Sequence, residues 1–134
     1  MSQPASTDQR GLLDTSVFIA QESDRPLGPL PDAAAISVIT LAELHLGVLM
    51  AEDPTIRAQH LRTLSAVRSL FEPVPIDTGI AEVFAELVAE ARRSGRRPKI
   101  MDTWIAATAV ALELPLYTQD DDFLGIPRVE VHRV

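Results

Sequence analysis

Apolar and polar positions alternate in blocks along this chain, and the blocks predict strands and helices in turn. Gly11-Leu12-Leu13-Asp14 is a short apolar run closed by an acid, which predicts a buried strand over residues 11–14. A brief helix is expected from Thr15 to Gln21. SDRPLGPLPDAA then supplies three prolines and a glycine, the composition of a loop. Ala35 to Ser37 reads as a short strand leading into a helix from Leu41 to Met50. Asp53-Pro54 has the form of an N-cap with proline at the first helical position, opening a helix to Ser69. Residues 71–76, FEPVPI, read as a strand that Pro73 and Pro75 confine to an edge. From Thr78 to Ser94, Ile80, Val83, Phe84, Leu87, Val88 and Ala91 recur at helical spacing, and Gly95 ends the pattern. RRPK connects to an alanine-rich buried helix over residues 101–112. Leu116 to Thr118 is a strand, QDDDF a turn and Val129 to His132 a last strand. Alternating strands and helices predict one α/β domain over residues 11–134, a mostly parallel central sheet with helices on both faces. Residues 1–10 read as a flexible N-terminal tail.

Composition narrows the chemistry. A chain of 134 residues has the size of one domain. It contains no cysteine, which excludes disulfides and thiolate metal sites and suits a reducing cytosol. The polar N-terminal MSQPASTDQR lacks the basic and apolar regions of a secretory signal. The apolar run TWIAATAVAL is far short of the ~20 residues needed to span a bilayer. The expectation is a cytoplasmic protein with no membrane association. A net charge of −7 weighs against a polyanionic partner. Two features offset it: Arg92, Arg93, Arg96, Arg97 and Lys99 concentrate positive charge, and acids that ligate divalent cations are neutralised by them.

The acids fall where parallel sheets place ligands, beyond the carboxyl ends of strands and beside helix N-termini. Asp14 ends the first strand. Glu43 follows the second, Asp102 opens the alanine-rich helix, and Asp120, Asp121 and Asp122 follow Thr118. Each also has a plain structural reading. Asp14 can cap a helix. Thr40 to Glu43, TLAE, fits a capping box. Asp102 can complement a helix dipole, and the DDD run can be a solvated turn. Caps, however, have no reason to converge on one end of one sheet. Several converging carboxylates repel one another, a cost that a hard cation removes. With no cysteine and no histidine at ligand spacing, the inference is an all-oxygen Mg²⁺ or Mn²⁺ site. His45, His60 and His132 pair with no nucleophile, and Phe84 and Trp104 read as core. The Arg-rich segment is a solvated helix end unless the acids act on nucleic acid, in which case it can grip phosphates.

LLDTSVFIA, ISVITLAELHLGV and KIMDTWIAATAVALELPLYTQDDDF together resemble the PIN-domain ribonucleases, and among them the VapC-type toxins of type II toxin–antitoxin pairs. The resemblance runs from about residue 11 to 134, through D-T-S, S-x-x-T-x-x-E-L-x-x-G, D-x-x-I-A-A and T-x-D-x-D-F in order. It implies metal-site acids at Asp14, Glu43 and Asp102, with the fourth at Asp120 or Asp122, and supporting hydroxyls at Ser16 and Thr118. It implies Mg²⁺-dependent hydrolysis of RNA to 5′-phosphate and 3′-hydroxyl ends, a structured target with tRNA first, a small cognate antitoxin and a homodimer. On that reading Arg92, Arg93, Arg96, Arg97 and Lys99 contact the RNA backbone. Three alternatives stand beside it. A haloacid-dehalogenase-type phosphotransferase wants an acid where Ser16 stands. A receiver-like domain wants a late lysine, whereas the only lysine is Lys99. The last is a PIN domain serving only as an interaction module.

Overall fold

A computed structural model describes residues 9–134, so residues 1–8 of the expected tail lie outside the described residues. The chain runs through β1 (Arg10–Leu13), α1 (Thr15–Glu22), β2 (Ala33–Ala35), α2 (Val38–Met50), α3 (Pro54–Leu70), α4 (Thr78–Arg93), α5 (Ile100–Ala111), β3 (Leu116–Thr118), a 3-10 turn at Asp122–Gly125, and β4 (Val131–Arg133). The four strands form one sheet in the order β2-β1-β3-β4, every pair parallel.

Alternation along the central strands sends successive side chains to opposite faces. Leu12 and Leu116 join Ile80 and Leu87 of α4 and Ile105 of α5 in one core cluster. Leu13 and Tyr117 point the other way, into a second cluster with Val17 and Phe18 of α1, Leu44 of α2, and Leu64 and Val67 of α3. Helices therefore cover both faces, as the pattern predicts. Phe84 and Trp104 stack with centroids 3.6 Å apart and pin α4 to α5, in keeping with a packing role. Gly11 is required by a close approach: a Cβ there would sit 2.6 Å from Tyr117 Cδ1.

Several expectations change. Arg10, assigned to the tail, is the first residue of β1. The second strand pairs at Ala33–Ala35 rather than 35–37, because the Ser37 side chain accepts from the Ile39 N–H and caps a helix that starts at Val38 instead of Leu41. That cap also removes Thr40 as a helix start, and Glu43 lies beyond the first turn, so TLAE is no capping box. Residues 71–76 form no strand, only a bridge from Val74 to Ser37. Prolines 73 and 75 lack N–H groups, which leaves Val74 to bond alone, its N–H to Ile36 O at 2.8 Å and its carbonyl to Val38 N at 3.0 Å. At the C-terminal end, the QDDDF turn closes as the 3-10 turn, and β4 begins at Val131 rather than Val129.

Candidate active site

The chain leaves β1 toward β2 on one side, while β3 pairs on the other, so the β1/β3 boundary is where the strand order reverses. Such a switch point opens a crevice at the carboxyl ends of the strands. Asp14 stands there, its N–H bonded to Tyr117 O at 2.9 Å. It caps α1 and is also almost fully buried, at 3% exposure, so the cap and ligand readings describe the same side chain.

A buried carboxylate needs donors. Asp14 Oδ2 receives three: Ser16 Oγ at 2.6 Å, Thr118 Oγ1 at 2.9 Å and the Ser16 N–H at 3.3 Å. Each hydroxyl in turn accepts from the turn after β3, Ser16 Oγ from the Gln119 N–H at 2.9 Å and Thr118 Oγ1 from the Asp120 N–H at 3.0 Å. Two backbone groups of the acidic turn are thus linked through two hydroxyls to one carboxylate oxygen. Such chained bonds polarise one another and hold Asp14 in one orientation. Among the described residues Oδ1 has no hydrogen-bond partner.

Asp14, Glu43, Asp102 and Asp120 line one cleft of about 240 Å³. Glu43 is oriented by Thr15, whose hydroxyl donates to Oε1 at 2.7 Å and lies 3.0 Å from Thr40 Oγ1. Burial raises the Glu43 pKa above the ordinary carboxylate value. The Thr15 hydrogen bond opposes that, while the charges of Asp14 and Asp120 add to it. Asp102, in the first turn of α5, is pushed up to about 6, first by burial and then by Asp14, Asp122 and Glu43, with Lys99 opposing. Asp120 is raised by burial and by Asp14 and Asp122, with Lys99 and Arg133 opposing. Among the described residues, Asp102 Oδ2 is buried without a partner.

These features fit a divalent cation. The donor set is all oxygen, the acids share a cleft, and one buried carboxylate oxygen is left unsatisfied. Among the described residues no three acids or histidines close into a compact coordination cluster, so the carboxylates ring the cleft rather than form a finished cage.

The remaining predicted residues separate. Asp122 does not line the cleft; its Oδ2 accepts from Lys99 Nζ at 3.0 Å on the exposed side. Asp121 pairs with Arg133. Arg93 and Arg96 line a different cleft, of about 300 Å³, with Glu90, Gly125 and Pro127. Arg92 and Arg97 are exposed and line neither. Only Lys99 of that basic group has its charge felt by the site acids. His60 bonds Glu22 and His132 bonds Glu130, while His45 is exposed on α2. Sequence reasoning missed three contributors. Thr15 was signalled by its place inside D-T-S. Gln119, which bridges Pro26 O and Val134 O, and Arg25, which lines the cleft, carried no local signal.

A parallel α/β sheet with four carboxylates around its switch point defines the class of protein, and comparison with known proteins supplies the family. The sequence matches the PIN domain over residues 11–129, and the chain belongs to the PIN-domain family. It is 48% identical over 135 residues to Ribonuclease VapC5 of Mycobacterium tuberculosis, covering 97% of this chain and 99% of that one. Ribonuclease VapC4 of the same organism is 44% identical over 128 residues, 92% of this chain and 95% of the relative. Among solved structures, VapBC-5 of M. tuberculosis, a member of the VapBC family of toxin–antitoxin systems, superposes with a TM-score of 0.84 at 47% identity, covering 93% and 98% of the two chains. FitAcB from Neisseria gonorrhoeae gives a TM-score of 0.73 at 29% identity, covering 91% and 96%.

Proposed function

We propose that this chain is a Mg²⁺-dependent endoribonuclease, the toxin of a toxin–antitoxin pair. The observation that carries the reading is the gathering of Asp14, Glu43, Asp102 and Asp120 on one cleft, with Asp102 Oδ2 buried and unpartnered among the described residues. The ribonuclease names of relatives at 48% and 44% identity support it. Asp14, Glu43, Asp102 and Asp120 would hold Mg²⁺, with Mn²⁺ as a substitute. When bound, the cation neutralises charge at the scissile phosphate and acidifies the attacking water. Ser16 and Thr118 orient Asp14, and Thr15 orients Glu43. Water adds at phosphorus, the bond to the 3′ oxygen breaks, and the products carry a 5′-phosphate and a 3′-hydroxyl. No histidine acts as a base.

The substrate is structured RNA, tRNA first, and its cleavage arrests translation in the cytoplasm. A small cognate antitoxin neutralises the enzyme, and the active form is a homodimer. Similarity to a member of the VapBC toxin–antitoxin family supports the pairing. Among the described residues no helix is long and apolar enough to cross a membrane. The phosphotransfer alternative is disfavoured because Asp14 Oδ2 is occupied by three donors and Ser16 stands where a second acid is wanted. The test incubates purified protein with total RNA and Mg²⁺, with and without EDTA. New RNA ends that disappear with EDTA and with Asp14→Asn support the reading; identical RNA profiles for wild type and Asp14→Asn defeat it.

A further inference from the structure

The carboxylate cleft contains one cation among its described lining residues, Arg25. An RNA strand entering a ring of acids meets repulsion at every phosphate, so a cation at that wall has an evident use. The cations whose charge reaches the site acids are already engaged, Lys99 with Asp122 and Arg133 with Asp121. The Arg25 guanidinium has no hydrogen bond or ion pair among the described residues, although it shares the cleft with Asp14, Glu43, Asp102 and Asp120. It is also exposed, hence accessible.

Its position is set by backbone rather than by chance. Helix α1 ends with Asp24 in the left-handed region at φ 54°, a conformation that costs a non-glycine residue strain. The Asp24 N–H returns to Gln21 O at 3.3 Å and the Arg25 N–H to Ala20 O at 2.8 Å. These are the paired bonds of a Schellman ending, which turns the chain back along its helix. The next residue is held from the other side of the site: Gln119 Nε2 donates to Pro26 O at 3.1 Å and to Val134 O at 2.7 Å, while the Gln119 N–H donates to Ser16 Oγ. The segment bearing Arg25 is therefore tied to the network that orients Asp14.

We infer that Arg25 is a substrate-phosphate contact, its planar guanidinium binding non-bridging oxygens of an RNA phosphate at the cleft. This rests on the ribonuclease reading above. Gln119 is the positioning residue that keeps the Arg25 segment beside the acidic turn.

The test compares wild type, Arg25→Ala, Arg25→Lys and, as a charge control, Arg68→Ala on α3. A fluorescent RNA stem–loop that the wild type cleaves is followed by cleavage kinetics in Mg²⁺ and by anisotropy against salt. Arg25→Ala is expected to raise KM about tenfold with kcat little changed, the signature of a lost ground-state contact. It should also lower the salt slope of binding by about 0.7 to 0.9, the release expected for one phosphate contact. Arg25→Lys should restore the slope, Arg68→Ala should match wild type, and the thermal shift produced by Mg²⁺ should be the same in all four. An Arg25→Ala protein with wild-type KM and salt slope overturns the inference while cleavage by wild type leaves the ribonuclease reading standing. Absence of cleavage of any RNA by wild type defeats the ribonuclease reading itself.

Discussion

The carboxyl of Asp102 is the most telling place to perturb, because its ionisation works against the fold and the proposed cation would offset that cost. Its pKa is lifted from 3.8 to about 6, chiefly by burial and then by Asp14, Asp122 and Glu43. At about 1.4 kcal/mol per decade, that difference corresponds to about 3 kcal/mol. The carboxyl is only half-buried, and solvent screening reduces the expected effect to about 1 kcal/mol. The folded state binds this proton more tightly than the unfolded chain does. The stabilisation is thus fully present below pH 3.8 and is lost as pH rises through about 6. Asp102→Asn has no such proton to lose. In urea unfolding with EDTA, the stability of the variant relative to wild type should therefore rise by about 1 kcal/mol between pH 4 and 7.5 and be flat above. The unpartnered buried amide that this substitution introduces adds a constant offset that pH does not change. Saturating Mg²⁺ should move the difference back toward wild type, because ligand binding stabilises the folded wild type more than a variant that has lost one carboxylate. A stability difference that does not vary with pH, or that moves toward wild type as pH rises, refutes the reasoning about this site.

Other perturbations should separate the roles of neighbouring groups. Thr118→Val removes a buried donor to Asp14 and the acceptor for the Asp120 N–H; it should cost about 1 to 3 kcal/mol in urea unfolding and depress RNA cleavage. Asp120→Asn should reduce cleavage at least about 100-fold, whereas Asp122→Asn should stay within about tenfold, because Asp122 faces Lys99 outside the cleft. Equal losses in a cleavage assay would contradict that division. Gly11→Ala should destabilise by about 1 to 3 kcal/mol in thermal melts, since its Cβ meets the Tyr117 ring. Gly47→Ala, within α2, would place its Cβ 4.0 Å from His60 Cδ2, the nearest described atom beyond its chain neighbours and its own helix backbone, and should stabilise by about 0.5 to 1 kcal/mol in the same melts.

Features that depend on near neighbours in sequence were legible. The apolar run at Leu12-Leu13, the Asp53-Pro54 helix start and the spacing of Ile80, Leu87 and Ala91 each report a local preference, and the structure follows them. The convergence of Asp14, Glu43, Asp102 and Asp120 was legible one step further on, because parallel pairing brings the strands' carboxyl ends to one edge. Where local rules competed, they misled. TLAE fits a capping box, yet Ser37 had already started the helix. FEPVPI is apolar enough for a strand, but two missing N–H groups leave it a single bridge. That Asp120 would line the cleft while Asp122 pairs with Lys99 was not legible, since the 3-10 turn begins after Asp120, at Asp122. Arg25 was hidden for a similar reason. Its place follows from a left-handed residue after α1 and from Gln119, 93 positions from Pro26.

The most direct test of the central claim is the chemistry of the RNA ends. Hydrolysis by water at this carboxylate site predicts Mg²⁺-dependent fragments with 5′-phosphate and 3′-hydroxyl termini, readable by ligation and phosphatase sensitivity, and absent with Glu43→Gln. Fragments ending in 2′,3′-cyclic phosphate, or cleavage that persists in EDTA, would contradict the account.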